Sequence, residues 1–456
     1  MNFIENFFKL KERNTTVKTE ALAGLTTFLA VAYIIPTNTF LLADTGMPLP
    51  AIFVGTIIST IIATLIMGVY ANYPVALAPG MGMNAFFAYT VVLYGYGFSW
   101  QEGLACVFIA GLLFMLLSLT KIREVVINSI PMDLKYAISA GIGFFITYLG
   151  LKNAGIIVSN SATYVALGDL TFPPVALCVF GLLITIFFHV RGNNFAIIIG
   201  MFFTTILGLL MGNFGIQNMP TYSSEGSLGD LAAIGDVFGA FLPHIKTVVT
   251  SKMGWLAIFT FMFIDFFDTA GTLIAVGGAA GILDKEGNLK DGKKALLSDS
   301  LGTIIGSFFG MSPVTSFIES MAGIKVGGRT GLTAVFVSIL FALTILAYPL
   351  LSVVNGVSVA EYAGATDVVL APITSPALIL VGAMMVTSLR KIDWKNDAIT
   401  ISTFFTILFM VLAFSIAEGI AIGFITYTLI KFAKKEPVNG IMIGLTVLFI
   451  LRYVFI

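Results

Sequence analysis

The sequence predicts a polytopic membrane protein built from α-helices, on three observations. The chain of 456 residues is 58% hydrophobic and only 11% charged, whereas soluble globular chains carry about 25% charged residues. Its mean hydropathy is +0.99. Apolar runs long enough to cross a bilayer as helices recur from Ala21 almost to the C-terminus. A transmembrane β-barrel would show alternating segments of about ten residues instead.

We predict fourteen transmembrane segments in two sets of seven, numbered in chain order. The first set is 21–43, 51–70, 76–97, 101–120, 134–151, 174–190 and 195–212. The second set is 255–281, 294–310, 312–325, 329–354, 374–389, 398–414 and 415–433. The stretch 213–254 is predicted to connect the two sets on the outer side. For the apolar stretch 439–456 three placements remain open, namely a re-entrant segment, an interfacial segment and a fifteenth crossing segment.

Basic residues predict that the N-terminus is cytoplasmic, because short cytoplasmic loops are enriched in Lys and Arg. With that orientation the predicted outer loops 152–173 and 350–373 hold a single basic residue, Lys152. The predicted inner loops hold Lys121, Arg123, Arg191, Lys285 to Lys294, Lys325, Arg329, Arg390 to Lys395 and Lys431 to Lys435. The total of 24 Lys and Arg equals that of Asp and Glu, so the charge indicates no nucleic-acid partner.

The two sets of segments carry a weak internal repeat. A Pro/Gly break interrupts segment 3, and a second break interrupts segment 10 at nearly the same place in its set. Because seven is an odd number, two such sets must cross the membrane in opposite directions. Paired, interrupted segments in corresponding positions indicate the binding site of a transporter.

Segment 3 cannot form one regular helix, because Pro79 removes a backbone donor and Gly80 and Gly82 favour other backbone conformations. We predict an extended piece followed by a half-helix that begins near Asn84. Non-helical backbone at this depth is tolerated where protein or a cavity satisfies it. The alternative is a packing kink in which Asn84 bonds to a neighbouring helix.

Segment 10 repeats this arrangement. Pro313 precedes a β-favouring stretch, and Glu319 begins a helix of small residues. A carboxylate in the first turn of a helix interacts well with the helix dipole. The alternatives for Glu319 are therefore a binding group near the middle of the membrane or a buried helix cap.

Segment 8 holds Asp265 and Asp268, whose spacing of three places them on one face of a helix, with Thr269 beside them. Acids at bilayer depth are costly and usually mark a pathway or a site. No basic residue lies in this segment, so we favour a protonatable or substrate-binding role over an internal ion pair. Asp299 and Glu418 are predicted to join structural hydrogen bonds between helices.

Three stretches together resemble the adenine/guanine/hypoxanthine permeases, a branch of the nucleobase–cation symporter 2 family, over essentially the whole chain. They are Ala78-Pro79-Gly80-Met81-Gly82-Met83-Asn84-Ala85-Phe86-Phe87, Asp265-Phe266-Phe267-Asp268-Thr269, and Ile318-Glu319-Ser320 followed by Gly327-Gly328-Arg329-Thr330-Gly331. The resemblance implies fourteen segments in two inverted sevens. It implies a core domain of 21–120 and 255–354, and a gate domain of 134–212 and 374–433.

The resemblance also implies proton-coupled uptake of purine bases across the inner membrane by a homodimer, with protons as the coupling ion and no cofactor. Asp265 and Glu319 correspond to the family's base-binding acids, and Asn84 and Asp268 to its supporting polar residues. The related uracil and xanthine permeases carry a His where this chain has Thr269. Uracil and xanthine are therefore disfavoured as main substrates.

The chemistry of a purine fits these residues. An ionised carboxylate accepts from the N–H groups of the base, and a site built on such bonds rejects analogues that lack them. We expect aromatic rings to stack on the base and the broken segments to line it. The predicted lining residues are Phe86, Phe87, Phe317 and Ile318, with Gly82 and Thr269 in support.

The mechanistic hypothesis is symport by rocking of the core domain against the gate domain. The predicted proton-coupling residues are Asp265, Asp268 and Glu319. Two neighbouring carboxyl groups in a water-poor site do not both ionise readily, so Asp265 or Asp268 takes the proton while Glu319 stays ionised and holds the base. The first alternative is an anion transporter, which would need a positive centre where this chain presents acids. A membrane enzyme and a channel are further alternatives, and no metal-ligand or nucleophile–base motif supports an enzyme.

Overall fold

Fifteen helical segments follow one another along the described part of the chain. The computed structural model describes residues 3–120, 130–221, 228–282, 289, 291–354 and 356–455. The predicted inner-loop residues Lys121, Arg123 and Lys285 lie outside these residues. The segments are Val17–Val31 with Ile34–Ala43, Leu49–Ile66 with Met67–Ala71, Met81–Ala85 with Phe86–Tyr94, Trp100–Leu119, Met132–Asn153, Pro173–Val190, Ala196–Asn213, Lys252–Ala280, Gly292–Phe308, Met321–Lys325, Gly331–Leu343 with Thr344–Leu350, Ser375–Val386, Asp397–Leu412, Ile416–Ala433 and Gly440–Phe455.

Ten helical runs among the described residues are long and apolar enough to cross a membrane. Nine of them coincide with predicted segments 1, 2, 4 to 8, 11 and 14. The tenth covers 230–250 in the predicted outer connection. There the backbone is divided into short pieces, namely Leu228–Ala233, Ile234–Val237, Leu242–His244 and Ile245–Thr250. The chain is therefore a mostly helical, multi-pass membrane protein.

Side-chain caps fix where several helices begin. Ser99 accepts from the backbone N–H of Glu102, whose carboxylate accepts in return from the Ser99 N–H, so segment 4 starts with a capping box. The hydroxyls of Ser251 and Ser415 accept the first free N–H groups of segments 8 and 14. These polar residues stand directly before apolar runs, which is why the predicted starts agree with the structure to within a few residues.

Segments 3 and 10 each combine a short strand with a short helix, as predicted. Strand β1, Leu77–Pro79, leads into Met81–Ala85 and a π-helix, Phe86–Tyr94. The equivalent strand of segment 10 is Val314–Ser316, followed by a 3-10 turn at Ile318–Ser320. The two strands form an antiparallel pair that joins the broken segments.

Two β-hairpins that the sequence did not predict form in the predicted outer loops. Strands β2, Ile157–Asn160, and β3, Tyr164–Leu167, make the first hairpin. The strand of segment 10 described above, Val314–Ser316, is β4 in chain order. The second hairpin pairs β5, Val357–Tyr362, with β6, Ala365–Leu370. The second is closed by Ala363 and Gly364, both with positive φ, as hairpin turns require.

The second hairpin also contacts the residues that flank the first hairpin, at the end of segment 5 and before segment 6. The Tyr362 hydroxyl donates to the Gly155 carbonyl at 2.7 Å and accepts from the Asp169 N–H at 3.0 Å. The Tyr362 ring stacks on Phe172 with centroids 4.8 Å apart. The ends of segments 5 and 6 next to the hairpins are therefore connected.

The C-terminal stretch forms one unbroken helix, Gly440–Phe455, that runs antiparallel along segment 14. The hydroxyls of Thr446 and Thr428 are 2.8 Å apart near its middle, and Tyr453 near its end donates to Glu418 at the start of segment 14. Phe449 also packs against Phe259 of segment 8, with centroids 6.3 Å apart.

Neighbouring segments approach each other closely at glycine residues, where there is no side chain to separate them. A Cβ atom added to Gly143 in segment 5 would lie 2.6 Å from the carbonyl oxygen of Gly382 in segment 12. One added to Gly82 in segment 3 would lie 2.8 Å from Ile142. The first contact holds the predicted gate domain together, and the second brings the broken segment 3 against it.

Candidate functional site

The centre of the site is the crossing of the two broken segments. The Gly80 N–H donates to the Pro313 carbonyl at 3.0 Å, and the Phe317 N–H donates to the Ala76 carbonyl at 2.9 Å. These bonds satisfy backbone groups that proline and extended conformation leave without helical partners. The crossing therefore fixes the points from which Asn84 and Glu319 project.

Glu319 is half-buried, and Tyr33 holds its carboxylate. The Tyr33 hydroxyl donates to Glu319 Oε1 at 2.8 Å, and the tyrosine is only 1% exposed. Tyr33 stands where segment 1 is interrupted between Val17–Val31 and Ile34–Ala43. Next to Glu319, Ile318 is 38% exposed, so this end of the site is accessible from the surface of the chain.

The two acids of segment 8 have different surroundings. Asp265 is buried at 1% exposure, and its Oδ2 accepts from the Thr303 hydroxyl at 2.7 Å. Its Oδ1 has no hydrogen-bond partner within the described residues. Asp268 is half-buried, and the Thr315 hydroxyl lies 3.4 Å from its Oδ2. Asp268 thus lies on the accessible side, and Asp265 lies behind it.

Asp299 of segment 9 belongs to the same cluster. It is fully buried and accepts from Thr269 at 2.7 Å and from Ser316 at 2.8 Å. Thr269 in turn lies 3.0 Å from the Thr315 hydroxyl. The predicted hydrogen bonds between helices are therefore present at Asp299, and they connect it to the supporting residue Thr269 and to strand β4.

Asn84 is fully buried, and its side-chain oxygen accepts from the Ser312 hydroxyl beside the strand crossing. The structure therefore connects the two broken segments through Asn84. Phe317 is 6% exposed next to the crossing. Asn84 and Phe317 both lie close to the site but present little free surface in this conformation.

The structure does not bring Phe86 and Phe87 to the accessible side of the site. Both rings are fully buried. Phe86 packs edge-to-face against Phe261 at 4.8 Å, and Phe87 lies against Gly103 of segment 4. The expected stacking of these two rings on a base has no support in this arrangement, because neighbouring side chains already occupy their surroundings.

Five residues of this site were not singled out from the sequence, namely Tyr33, Thr303, Ser312, Thr315 and Ser316. The internal repeat of the sequence could have indicated Tyr33. Asn84 and Glu319 are separated by 319 − 84 = 235 residues, and Tyr33 and Asp268 by 268 − 33 = 235. Residues in corresponding positions of the two halves therefore face the same site, whereas the other four are common residue types without such a marker.

The acids of the site are not neutralised by basic side chains. The ion pairs among the described residues join other positions, and none includes Asp265, Asp268, Asp299 or Glu319. In the same residues no group of three or more His, Cys, Asp or Glu side chains is arranged to hold a metal ion. The arrangement can accept hydrogen bonds from a neutral ligand and exchange protons.

Comparisons with known proteins give the class. The chain matches the family model described as Permease family (Xan_ur_permease) over residues 18–422. It is 41% identical to the guanine/hypoxanthine permease PbuG of Bacillus subtilis, covering 99% of this chain and 100% of that protein. It is 39% identical to the adenine permease AdeP of Escherichia coli, covering 99% and 96%. A putative permease of Methanocaldococcus jannaschii is 42% identical over 100% of this chain and 99% of its own.

Solved structures show the same fold at low identity. The transmembrane domain of the cyanobacterial bicarbonate transporter BicA superposes with a TM-score of 0.63 at 14% identity, covering 92% of this chain and 98% of that one. SLC26A9 superposes with a TM-score of 0.57 at 11% identity, covering 95% and 68%. These likenesses concern the fold alone.

Fold and site together define a membrane transporter rather than an enzyme. The chain belongs to the Xan_ur_permease family, since the family model covers most of its length. The relatives named as guanine/hypoxanthine and adenine permeases confirm the family resemblance that the three sequence stretches indicated.

Proposed function

We propose that this protein is a proton-coupled purine base permease of the inner membrane, with adenine, guanine and hypoxanthine as its candidate substrates. The observation that carries the proposal is the half-buried Glu319 and Asp268 at the crossing of two broken segments. Relatives about 40% identical over their full length, named as permeases for these bases, support the substrate class.

Recognition of the base relies on acceptors at the accessible end of the site. Glu319 has one oxygen bound by Tyr33, so the other oxygen accepts an N–H of the base. Asp268 provides a second acceptor, and the exposed Ile318 provides an apolar surface for the flat ring. A site of this kind favours ligands with matching donors over isosteres without them.

The geometry favours a division of roles that differs from the one predicted from the sequence. We assign base binding to Glu319 and Asp268, because both are half-buried. Asp265 is buried behind them, bonded to Thr303 and next to Asp299, so we assign it, together with Asp299, to proton coupling. The sequence-based assignment let Asp265 share base binding or carry the proton and gave Asp268 a modulating role, so the two assignments differ most clearly in whether Asp268→Asn weakens binding.

Alternating access would arise from rocking of the core domain, segments 1 to 4 and 8 to 11, against the gate domain, segments 5 to 7 and 12 to 14. At the outer ends, Lys152 of the gate lies 5.4 and 5.7 Å from the ring centres of Tyr89 and Tyr94 of the core. It also lies 5.3 Å from the Phe414 ring, and the Tyr89 hydroxyl donates to Asp44 at 2.9 Å. This outer cluster supports a conformation closed to the outside.

The proposed topology has fourteen crossings in two inverted sevens and a cytoplasmic N-terminus. Because Gly440–Phe455 lies antiparallel along segment 14, we propose it as a fifteenth crossing that places the C-terminus outside. A homodimer is proposed as the working unit. Reporter fusions at both termini and chemical cross-linking in membranes test these points.

An anion transporter on the same fold is the second candidate, since the solved structures of similar fold include a bicarbonate transporter. The unpaired carboxylates argue against it, because they would repel an anion at the centre of the site. Uptake of labelled purine bases into proteoliposomes, beside chloride and sulfate flux, decides between the two. Saturable purine uptake driven by an inward proton gradient supports the proposal, and anion flux without purine uptake overturns it.

A further inference from the structure

Four side chains from segments 8, 9 and 10 form one continuous hydrogen-bonded chain. Asp268 lies 3.4 Å from the Thr315 hydroxyl, Thr315 lies 3.0 Å from Thr269, and Thr269 lies 2.7 Å from Asp299. Thr269, Thr315 and Asp299 are at most 3% exposed. The chain therefore runs from an accessible carboxyl group to a fully buried one through two hydroxyls shielded from water.

Counting hydrogens shows what this chain requires. A threonine hydroxyl has a single proton to donate, and an ionised carboxylate has none. The three contacts between the four groups need three protons, and the two hydroxyls supply two. All three contacts are hydrogen bonds only when one of the two carboxyl groups carries a proton.

We propose that Thr315 and Thr269 relay the coupling proton between Asp268 and Asp299. The proposal rests on the proton-coupled function above and deepens it. In the forward step, Asp268 gives its proton to Thr315 Oγ1, Thr315 gives its own to Thr269 Oγ1, and Thr269 gives its own to Asp299. Three O–H bonds break and three form, so Asp268 becomes a carboxylate, Asp299 becomes neutral, and both hydroxyls are regenerated.

The surroundings allow this exchange at both ends. Asp268 is half-buried and acts electrostatically on Glu319, whose carboxylate is bonded to Tyr33. At the other end, Ser316 donates to the second oxygen of Asp299, and Asp265 is the other acid that faces it. A proton that moves to Asp299 leaves a negative charge on Asp268 at the accessible side, where the base binds.

The test uses the full chain in proteoliposomes with a labelled purine base, first as the wild type and then as Thr269→Val and Thr315→Val. Two rates are measured, namely accumulation driven by a proton gradient and base-for-base counterflow without a gradient. Loss of the relay lowers driven accumulation by about 100-fold, the lower range for a positioned proton-transfer group, while counterflow stays close to the wild-type rate. Thr269→Ser keeps a hydroxyl and restores driven accumulation.

Thr403→Val is the matched control, because Thr403 is fully buried in segment 13 and its hydroxyl has no partner within the described residues. The relay is overturned if both Val variants accumulate the base like the wild type, or if Thr269→Ser is as defective as Thr269→Val in driven accumulation while its counterflow is normal. If the wild type shows counterflow but a proton gradient does not increase its accumulation of the base, the proton-coupled function itself is refuted, an outcome that can be distinguished from failure of the relay alone. If a Val variant shows no counterflow, it has lost transport altogether, and the result for Thr269→Ser, which keeps the hydroxyl, then decides whether the relay operates.

Discussion

Replacing Glu319 with Gln should remove most of the affinity for the base. Glu319 combines two interactions, one oxygen for Tyr33 at 2.8 Å and one for the substrate. Gln has one carbonyl oxygen for both, and its amide group can only donate. Either the base N–H then faces an NH₂ group, or the buried Tyr33 hydroxyl loses its acceptor.

The magnitude follows from the hydrogen bond that is lost. A hydrogen bond to a charged group contributes about 1.5–3 kcal/mol, and leaving a buried donor without its acceptor costs a similar amount. Since about 1.4 kcal/mol corresponds to tenfold in affinity, Glu319→Gln should raise the Kd for hypoxanthine by roughly 10- to 150-fold.

The assay is equilibrium binding of labelled hypoxanthine to purified protein in detergent or nanodiscs. Glu361→Gln is the matched control, because Glu361 is an exposed residue of the outer hairpin, and its Kd should equal that of the wild type. A normal Kd for Glu319→Gln would refute the assignment of Glu319 as the base-binding acid.

Three further predictions concern neighbouring residues. Asp265→Asn should bind the base but lose acceleration by an inward proton gradient. Asp268→Asn should weaken binding by about tenfold, as for a lost charged hydrogen bond, and should also lose that acceleration, because Asp268 is the accessible end of the proposed relay. Equilibrium binding beside gradient-driven uptake checks both, and an Asp268→Asn variant with altered pH dependence but unchanged binding restores the sequence-based assignment. Tyr33→Phe should weaken binding by about threefold to tenfold, since one neutral donor to Glu319 is lost, and an unchanged Kd and pH profile would contradict this. Lys152→Gln removes the contacts of the Lys152 ammonium with the Tyr89, Tyr94 and Phe414 rings, worth about 1 kcal/mol, and so destabilises the conformation closed to the outside. A cysteine that replaces Ile318 should therefore react with a reagent added outside about fivefold faster in this variant. Equal labelling rates would show that the outer cluster does not stabilise the closed conformation.

The sequence was informative wherever a residue type has a local backbone effect. Pro79 with Gly80, and Pro313 before Val314, interrupt helices through their own stereochemistry, and both breaks are present. The strand pairing between them depends on contacts about 235 residues apart, which local patterns do not contain. Sequence reasoning therefore found both halves of the crossing without their register.

Polar partners from other segments were harder to predict. Asp299 was predicted to join hydrogen bonds between helices, and its bonds are present, but their partners Thr269 and Ser316 lie in two other segments and could not be named from the sequence. Phe86 and Phe87 follow the break directly and were expected to line the site. Both rings instead lie in the core, at the start of the π-helix that follows Ala85.

The outer hairpins were missed for a related reason. The turn between β5 and β6 uses Ala363 and Gly364, whereas Asn-Gly and Asp-Gly are the pairs that reliably indicate such a turn. The contact between Tyr362 and Gly155 that stabilises the hairpin joins distant parts of the chain.

The most direct test of the central claim is a competition uptake experiment in proteoliposomes at two external pH values. Labelled hypoxanthine is the substrate, and adenine, guanine, xanthine and uracil are the unlabelled competitors. We predict saturable uptake that is faster with an inward proton gradient and that the purines adenine and guanine inhibit more strongly than xanthine or uracil. Uptake that ignores the gradient, or that uracil and xanthine inhibit as strongly as guanine does, would contradict the proposed proton-coupled purine permease.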